Sequence, residues 1–152
     1  MKESINTAII VGIILTIVGL IELVLFASFA YSRAFKVKNR IVSILEEKVV
    51  YDNVKENVIN TIDSEISKIG YKINNYGINN CPVLEDDPEK YELINTTANY
   101  NYCIYRTKEV NKDKGTGYYY TVISYMYFDV PLMSIKIPIK GQTKTMYSYT
   151  DR

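Results

Sequence analysis

One uninterrupted apolar segment constrains this chain more than any other feature of its sequence. Residues 8–31 read AIIVGIILTIVGLIELVLFASFAY, 24 residues with a single charged side chain, Glu22. A helix of this length spans roughly 36 Å, enough to cross a hydrocarbon core of about 30 Å. The segment predicts a single-pass transmembrane helix anchored in the lipid bilayer of the cell membrane. A cleaved secretory signal is the alternative, because Ser28 and Ala30 have the size and spacing of a peptidase site.

Small residues recur near one face of this predicted helix, which also carries a carboxylate. Small side chains let helices approach closely in lipid, although Gly and Ala are common in membrane helices generally. A carboxylate in the middle of a bilayer costs a few kcal/mol, which favours protonation, a polar partner or a subunit contact. The candidate residues for helix packing or subunit contact are Gly12, Thr16, Gly19, Glu22 and Ala27.

Two sequence features give opposite indications of membrane orientation. A basic flank without acids follows the helix, and by the positive-inside rule it places the C-terminal part in the cytoplasm. The two cysteines, Cys81 and Cys103, instead favour a disulfide and an extracytoplasmic location, although two buried free thiols are also common. The basic flank consists of Arg33, Lys36, Lys38 and Arg40.

The next segment, residues 32–70, has the pattern of an amphipathic helix. Apolar residues recur there at steps of three or four, and Gly70 follows the last of them as a C-terminal stop. A β-branched cluster followed by Asp-Asn makes a break near residues 49–53 plausible, so that one or two helices are both admissible. The apolar positions include Ile41, Leu45, Val58, Ile62 and Ile66.

The remainder of the chain predicts a loop followed by strands. Residues 71–99 are rich in Asn, Pro and acidic side chains, typical of a turn-rich acidic loop. Residues 100–152 alternate with a period of two, which predicts an antiparallel β-meander of three or four strands, with Pro131 and Pro138 in the link to a final strand near residues 142–150. Behind a short N-terminal flank and the membrane helix, we expect one α+β domain with the helix stripe on one sheet face.

Composition excludes several classes of function. The chain has no histidine, two cysteines and a formal net charge of +1. It therefore lacks the usual proton shuttle and the commonest metal ligand, and it has no global field that would hold a nucleic acid. Phosphate-loop, nucleophile-elbow and zinc-protease motifs are also missing, so we expect no enzymatic activity, no cofactor, no metal and no small-molecule substrate. Ten of the fifteen tyrosines lie between Tyr100 and Tyr149, where they favour strand packing or a protein-contact face.

The layout resembles the TadE-like pseudopilins, a family of minor pilin-like membrane proteins. The likeness is carried by GLIEL at residues 19–23 and by the aliphatic-rich helix that follows. It extends to the closing strands, with YYTV at 119–122, VPL at 130–132 and IKGQT at 139–143. The resemblance implies a cytoplasmic N-terminus, a sheet domain outside, and lateral helix packing in which Glu3 interacts with a neighbouring subunit's amino terminus.

These features together favour a structural subunit of a pilus or a related secretion apparatus. Its partners would be other single-pass pilin-like subunits or assembly-platform proteins. Two alternatives stay open at this point. The first alternative is a membrane-tethered extracellular module that binds through a tyrosine-rich β face. The second is an anchor protein whose domain faces the cytoplasm.

Overall fold

The computed structural model is α+β, as the sequence predicts. It has a long N-terminal helix, a second shorter helix and a small antiparallel sheet. The residues that the structure describes are 2–49, 54, 56–75, 81–84, 90–95, 98–111, 115–130 and 133–147.

The first helix, α1, runs without interruption from Lys2 to Lys48. Its 47 residues give a length of about 70 Å at ~1.5 Å per residue. The N-terminal half is exposed all round, and Leu15 is 66% and Val24 65% exposed. The C-terminal half buries one face, with Val37 and Ile41 both at 0% exposure. Within the described residues, α1 is the one helix long and apolar enough to cross a membrane.

The second helix, α2 (Glu56–Ile69), lies antiparallel to the end of α1. Contacts from Arg40 to Glu65 and from Arg33 to the Gly70 carbonyl show that the residue numbers rise along one helix as they fall along the other. The predicted segment 32–70 is therefore two helices. The predicted stop at Gly70 is present, because this residue has a φ of +70°, a conformation that glycine adopts without a Cβ clash.

The sheet is entirely antiparallel, and its first four strands are neighbours in chain order. The fifth strand pairs with the third strand beside the end of the fourth. Residues 112–114 connect the second and third strands, and residues 131–132 connect the third and fourth. The strands are β1 (Tyr91–Leu93), β2 (Tyr102–Asn111), β3 (Gly115–Val130), β4 (Met133–Gln142) and β5 (Met146–Tyr147).

Two details of the strand prediction are wrong. The predicted loop 71–99 contains β1, which is only three residues long and is defined by its pairing with β2. Pro138 lies within β4, opposite Tyr125, and is not part of a link. An edge strand tolerates proline because one side of the strand needs no backbone donor. The predicted final strand is divided between β4 and β5, and residues 148–150 lie outside the described part of the chain.

The two faces of the sheet have different coverings. The main core packs α1 and α2 on one face, against Tyr102, Ile104, Tyr120 and Val122. A smaller cluster on the opposite face includes Cys103, Tyr105, Ile123 and Tyr125, and the segment 81–84 packs on it. The sequence predicted one core between two layers. The second cluster is additional, and it exists because residues of both strand faces are apolar.

Candidate functional site

The small-residue face of α1 is an extension of its core-facing side. At ~3.6 residues per turn, five turns take about 18 residues, so Thr16 lies in line with Ala34 and Gly19 with Val37. Ala34 and Val37 are buried against the domain, whereas Thr16 is exposed and Gly19 is half-buried. The helix side that forms the core of the domain therefore continues beyond the domain as a surface of small side chains.

The two glycines on this surface have open space in front of them. A Cβ built at Gly12 or Gly19 meets no atom of the described residues within 4 Å, apart from the neighbouring turns of its own helix. Thr16 Oγ1 donates a hydrogen bond to the Gly12 carbonyl oxygen at 2.9 Å, so its hydroxyl is satisfied within the helix. Among the described residues, no contact requires a small side chain at Gly12 or Gly19.

Glu22 lies at the rim of a groove between α1 and the β3–β4 hairpin. The hairpin reaches α1 at Phe26, whose ring centroid is 5.4 Å from that of Phe128 in an edge-to-face arrangement. The sequence predicts Glu22 in the middle of the bilayer, and in the structure it lies about one helical turn before Phe26, where the hairpin meets α1. The groove has a volume of about 660 Å³ and is lined by Thr16, Gly19, Leu20, Glu22, Leu23, Phe26 and Asp129.

A second cavity, which we call the membrane-proximal cleft, lies between α1, the end of α2 and the polar face of the hairpin. Lys72 Nζ contacts Asp129 Oδ2 at 2.9 Å at its edge. Hydrogen bonds from Ser134 and Lys72 hold the pKa of Asp129 below its usual range. The cleft combines aromatic walls with a paired charge. It has a volume of about 280 Å³ and is lined by Phe26, Phe29, Ala30, Arg33, Ala34, Gly70, Tyr71, Lys72, Tyr125, Tyr127 and Asp129.

The basic flank has roles within the fold that the sequence did not predict. Arg40 Nη2 contacts Glu65 Oε2 at 2.7 Å, and Lys68 pairs with the other oxygen of this carboxylate. Hydrogen bonds from these two side chains lower the pKa of Glu65 to about 2, and the bond from Lys68 has the larger effect. Lys38 lies 4.1 Å above the Phe35 ring, and Lys36 is exposed. Arg40 therefore links α1 to α2, a structural role that does not depend on how the protein is oriented in a membrane.

The predicted disulfide is present. Cys81 and Cys103 are bonded, with their Cα atoms 5.8 Å apart. The bond holds the segment 81–84 against the sheet face opposite α1. Tyr105 donates its hydroxyl to the Pro82 carbonyl, and Tyr91 donates to the Leu84 carbonyl at 3.1 Å. The disulfide is thus a structural clamp that covers the smaller core cluster.

Many of the strand tyrosines have internal roles. Tyr102, Tyr105, Tyr120 and Tyr125 are each at most 5% exposed. The Tyr102 hydroxyl donates to Asp63 Oδ1 at 2.8 Å. Burial raises the pKa of Tyr102, and the negative charge of the Asp63 carboxylate raises it further. These rings fill the core, as the packing interpretation of the tyrosine-rich strands predicts.

The residues that join the hairpin to α1 did not appear among the candidates from sequence. Phe26, Phe128 and Asp129 come together only through the packing of β3 along α1. One signal was present, because Ile135 and Ile137 alternate with lysine and proline in β4 and so give it one apolar face.

One candidate from the sequence lies outside the description. The side chain of Glu3 is not among the described ones, and neither are residues 85–89 of the predicted acidic loop. Among the described residues, no cluster of three or more His, Cys, Asp or Glu side chains could hold a metal ion. Comparison of the chain with protein-family models, curated proteins and solved structures finds no match.

Proposed function

We propose that this protein is a single-pass, membrane-anchored structural subunit of the pilin-like, TadE-like kind, which assembles through its first helix into a pilus or a related secretion apparatus. One observation carries the proposal. Helix α1 is continuous from Lys2 to Lys48, with an exposed apolar N-terminal half and a C-terminal half that belongs to the core of an α+β domain. Such a helix joins a membrane anchor rigidly to a domain, as a subunit in an ordered array requires.

The small-residue face supports helix packing as the mode of assembly. Gly12, Thr16 and Gly19 form a surface of small side chains, and the described residues leave room in front of both glycines. Close approach of helices in lipid depends on such surfaces. The partner would be the first helix of a sibling subunit or a helix of an assembly-platform protein. Glu22, at the rim of the adjoining groove, would then face a polar group of that partner.

The packing face is tested by enlarging it without disturbing the chain's own fold. Gly19→Leu adds a side chain to the uncovered face, whereas Val24→Leu makes a small change about 140° away around the helix. The full-length protein is extracted from membranes in mild detergent, and its association is measured by size and by cross-linking. We expect Gly19→Leu to reduce the associated fraction several-fold, and Val24→Leu to leave it unchanged. A wild-type protein that is strictly monomeric after extraction would count against the proposal.

Glu22 is tested separately, because its contribution is polar. Glu22→Gln keeps hydrogen-bonding capacity, and Glu22→Leu removes it. If this carboxyl group contacts a partner, Glu22→Leu lowers association more than Glu22→Gln does, with the membrane level of the protein measured in parallel. The subunit-contact role is rejected if both variants leave assembly and membrane level unchanged.

We further propose that the sheet domain lies on the extracytoplasmic side. A disulfide that clamps part of the domain supports this orientation, because such bonds persist in oxidising compartments. The basic flank favours the reverse, although Arg40 already serves the contact between the helices. Intact cells are treated with a membrane-impermeant reductant and then with an impermeant thiol reagent. Labelling of Cys81 after reduction supports the outward orientation, and labelling that requires permeabilised cells contradicts it.

A further inference from the structure

We propose that the apolar face of the β3–β4 hairpin is a second membrane-contacting element, which inserts into the leaflet beside α1. This inference goes beyond helix packing but rests on the membrane anchoring in the proposed function. The occupant of the face is lipid, namely the acyl chains next to the headgroup region of the leaflet nearest the sheet domain.

The hairpin has one apolar face and one polar face. Directly paired residues of antiparallel strands lie on the same face, and Phe128 pairs with Ile135 while Met126 pairs with Ile137. Ile135 and Ile137 are both 42% exposed. The opposite face carries Tyr125, Tyr127, Asp129, Ser134, Lys136 and Lys140.

The level of this face along α1 follows from two contacts. Ser124 Oγ donates to the Ala34 carbonyl oxygen at 2.9 Å, and Phe128 contacts Phe26. Four residues of β3 cover about 13 Å, and eight residues of α1 cover about 12 Å, so the strand runs back along the helix towards its N-terminus. The end of β3 at Val130 therefore lies about level with Glu22.

This level is inside the bilayer for any placement of the membrane segment. A hydrocarbon core of about 30 Å takes about 20 helical residues, so within residues 8–31 it ends at residue 27 or later. With the boundary at residue 27, the end of β3 lies about 7 Å inside the hydrocarbon, a depth typical of interfacial elements, and a later boundary places it deeper.

The charges near the hairpin are consistent with shallow insertion. Asp129 is paired with Lys72, and Lys72 also lies 4.9 Å from the centre of the Tyr127 ring. Lys136 lies 3.7 Å from the centre of the Tyr125 ring on the polar face. Asp129, one residue before the end of β3, lies about 4 Å inside the hydrocarbon boundary, where its pairing with Lys72 offsets part of the cost of its charge. Both lysines can extend their ammonium groups towards water.

The chain contains no tryptophan, so single substitutions give site-specific fluorescence. The full-length protein is reconstituted into phosphatidylcholine vesicles in which the acyl chains are brominated, and quenching is compared with that in unbrominated vesicles. The variants are Ile135→Trp and Ile137→Trp on the apolar face, Leu15→Trp in the membrane segment, and Lys144→Trp as the distant control. Lys144 is exposed, and its backbone N–H bonds Glu46 Oε1, about 30 Å along α1 from residue 27.

We expect quenching to decrease from Ile135→Trp to Ile137→Trp, and to be several-fold weaker for Lys144→Trp. Strong quenching of Leu15→Trp with none of Ile135→Trp and Ile137→Trp would overturn the lipid contact and leave the anchoring intact. Absence of quenching at all four positions would overturn both. If the hairpin positions are shielded from aqueous acrylamide but not quenched by brominated lipid, a second copy of the chain covers this face and the lipid proposal is wrong.

Discussion

The hydroxyl of Tyr71 bonds backbone groups of the sheet just before β2 begins, and its removal should destabilise the domain. Tyr71 is 6% exposed. Its hydroxyl oxygen lies 2.8 Å from the Asn101 carbonyl oxygen and 3.1 Å from that of Tyr125, and it accepts the Tyr125 N–H at 2.6 Å. The side chain thus takes the place of a strand neighbour for β3 at Tyr125, one residue past the pairing of Ser124 with Tyr102, the first residue of β2.

The magnitude follows from the groups that Tyr71→Phe leaves unpaired. The hydroxyl accepts one hydrogen bond and donates one, so the variant leaves the Tyr125 N–H and one carbonyl without a partner. Each buried unsatisfied group costs roughly 1–3 kcal/mol, and the phenylalanine ring keeps nearly the same volume, so little cavity cost is added. We expect a loss of about 2–4 kcal/mol in the free energy of unfolding.

The assay is denaturant unfolding of the full-length protein in mild detergent, followed by near-ultraviolet circular dichroism of the tyrosines. The control is Tyr119→Phe on β3, because the Tyr119 hydroxyl makes no hydrogen bond in the described part of the chain. The control should lose no more than about 0.5 kcal/mol. Equal stability of the two variants, together with unchanged hydrogen exchange at the Tyr125 amide, would refute the role given to Tyr71.

Three further outcomes test other contacts. Replacing Cys81 and Cys103 together with serine should cost about 3 kcal/mol for a sequence separation of 22, measured by denaturant unfolding of oxidised and variant protein. The pKa of Glu65 is lowered from 4.5 to about 2, so its stabilisation is complete above the ordinary value and is lost as the pH falls towards 2. Glu65→Gln should remove this part of the acid dependence of unfolding, and a variant with the wild-type dependence would contradict the assignment. Gly117→Val should cost about 1–3 kcal/mol because a Cβ there lies 2.8 Å from Thr145 Cγ2, and an unchanged melting temperature would exclude this crowding.

Long periodic segments made much of the fold predictable from the sequence. The apolar run of residues 8–31 lies within one helix, and Ile41, Leu45, Ile62 and Ile66 are fully buried, as their spacing indicates. These predictions succeed because a helix face is determined locally, by residues three and four positions apart.

Elements that depend on distant partners were the ones missed. The strand β1 has three residues, and only its pairing with β2 distinguishes it from the surrounding loop. Proline normally interrupts strands, so Pro138 suggested a link, but β4 lies at the sheet edge and accommodates it.

The candidate site likewise contains features that the sequence predicts and features that only the folded structure reveals. The small-residue face could be found from helical spacing, and the disulfide from the cysteine count. The approach of Phe128 to Phe26 could not, because it depends on a hairpin more than 90 residues away in the chain returning along α1. Tertiary packing of this kind has no local pattern in the sequence.

The unbroken course of α1 also limits where this protein can act. In the proposed membrane-anchored arrangement, the continuous helix would hold the domain at one height and tilt on the bilayer, with its far end, near Lys48, about 32 Å above residue 27. Any molecule that touches it must come within this distance of the membrane surface. A change in the tilt of the spanning segment would also tilt the sheet, because the sheet packs on the same continuous helix.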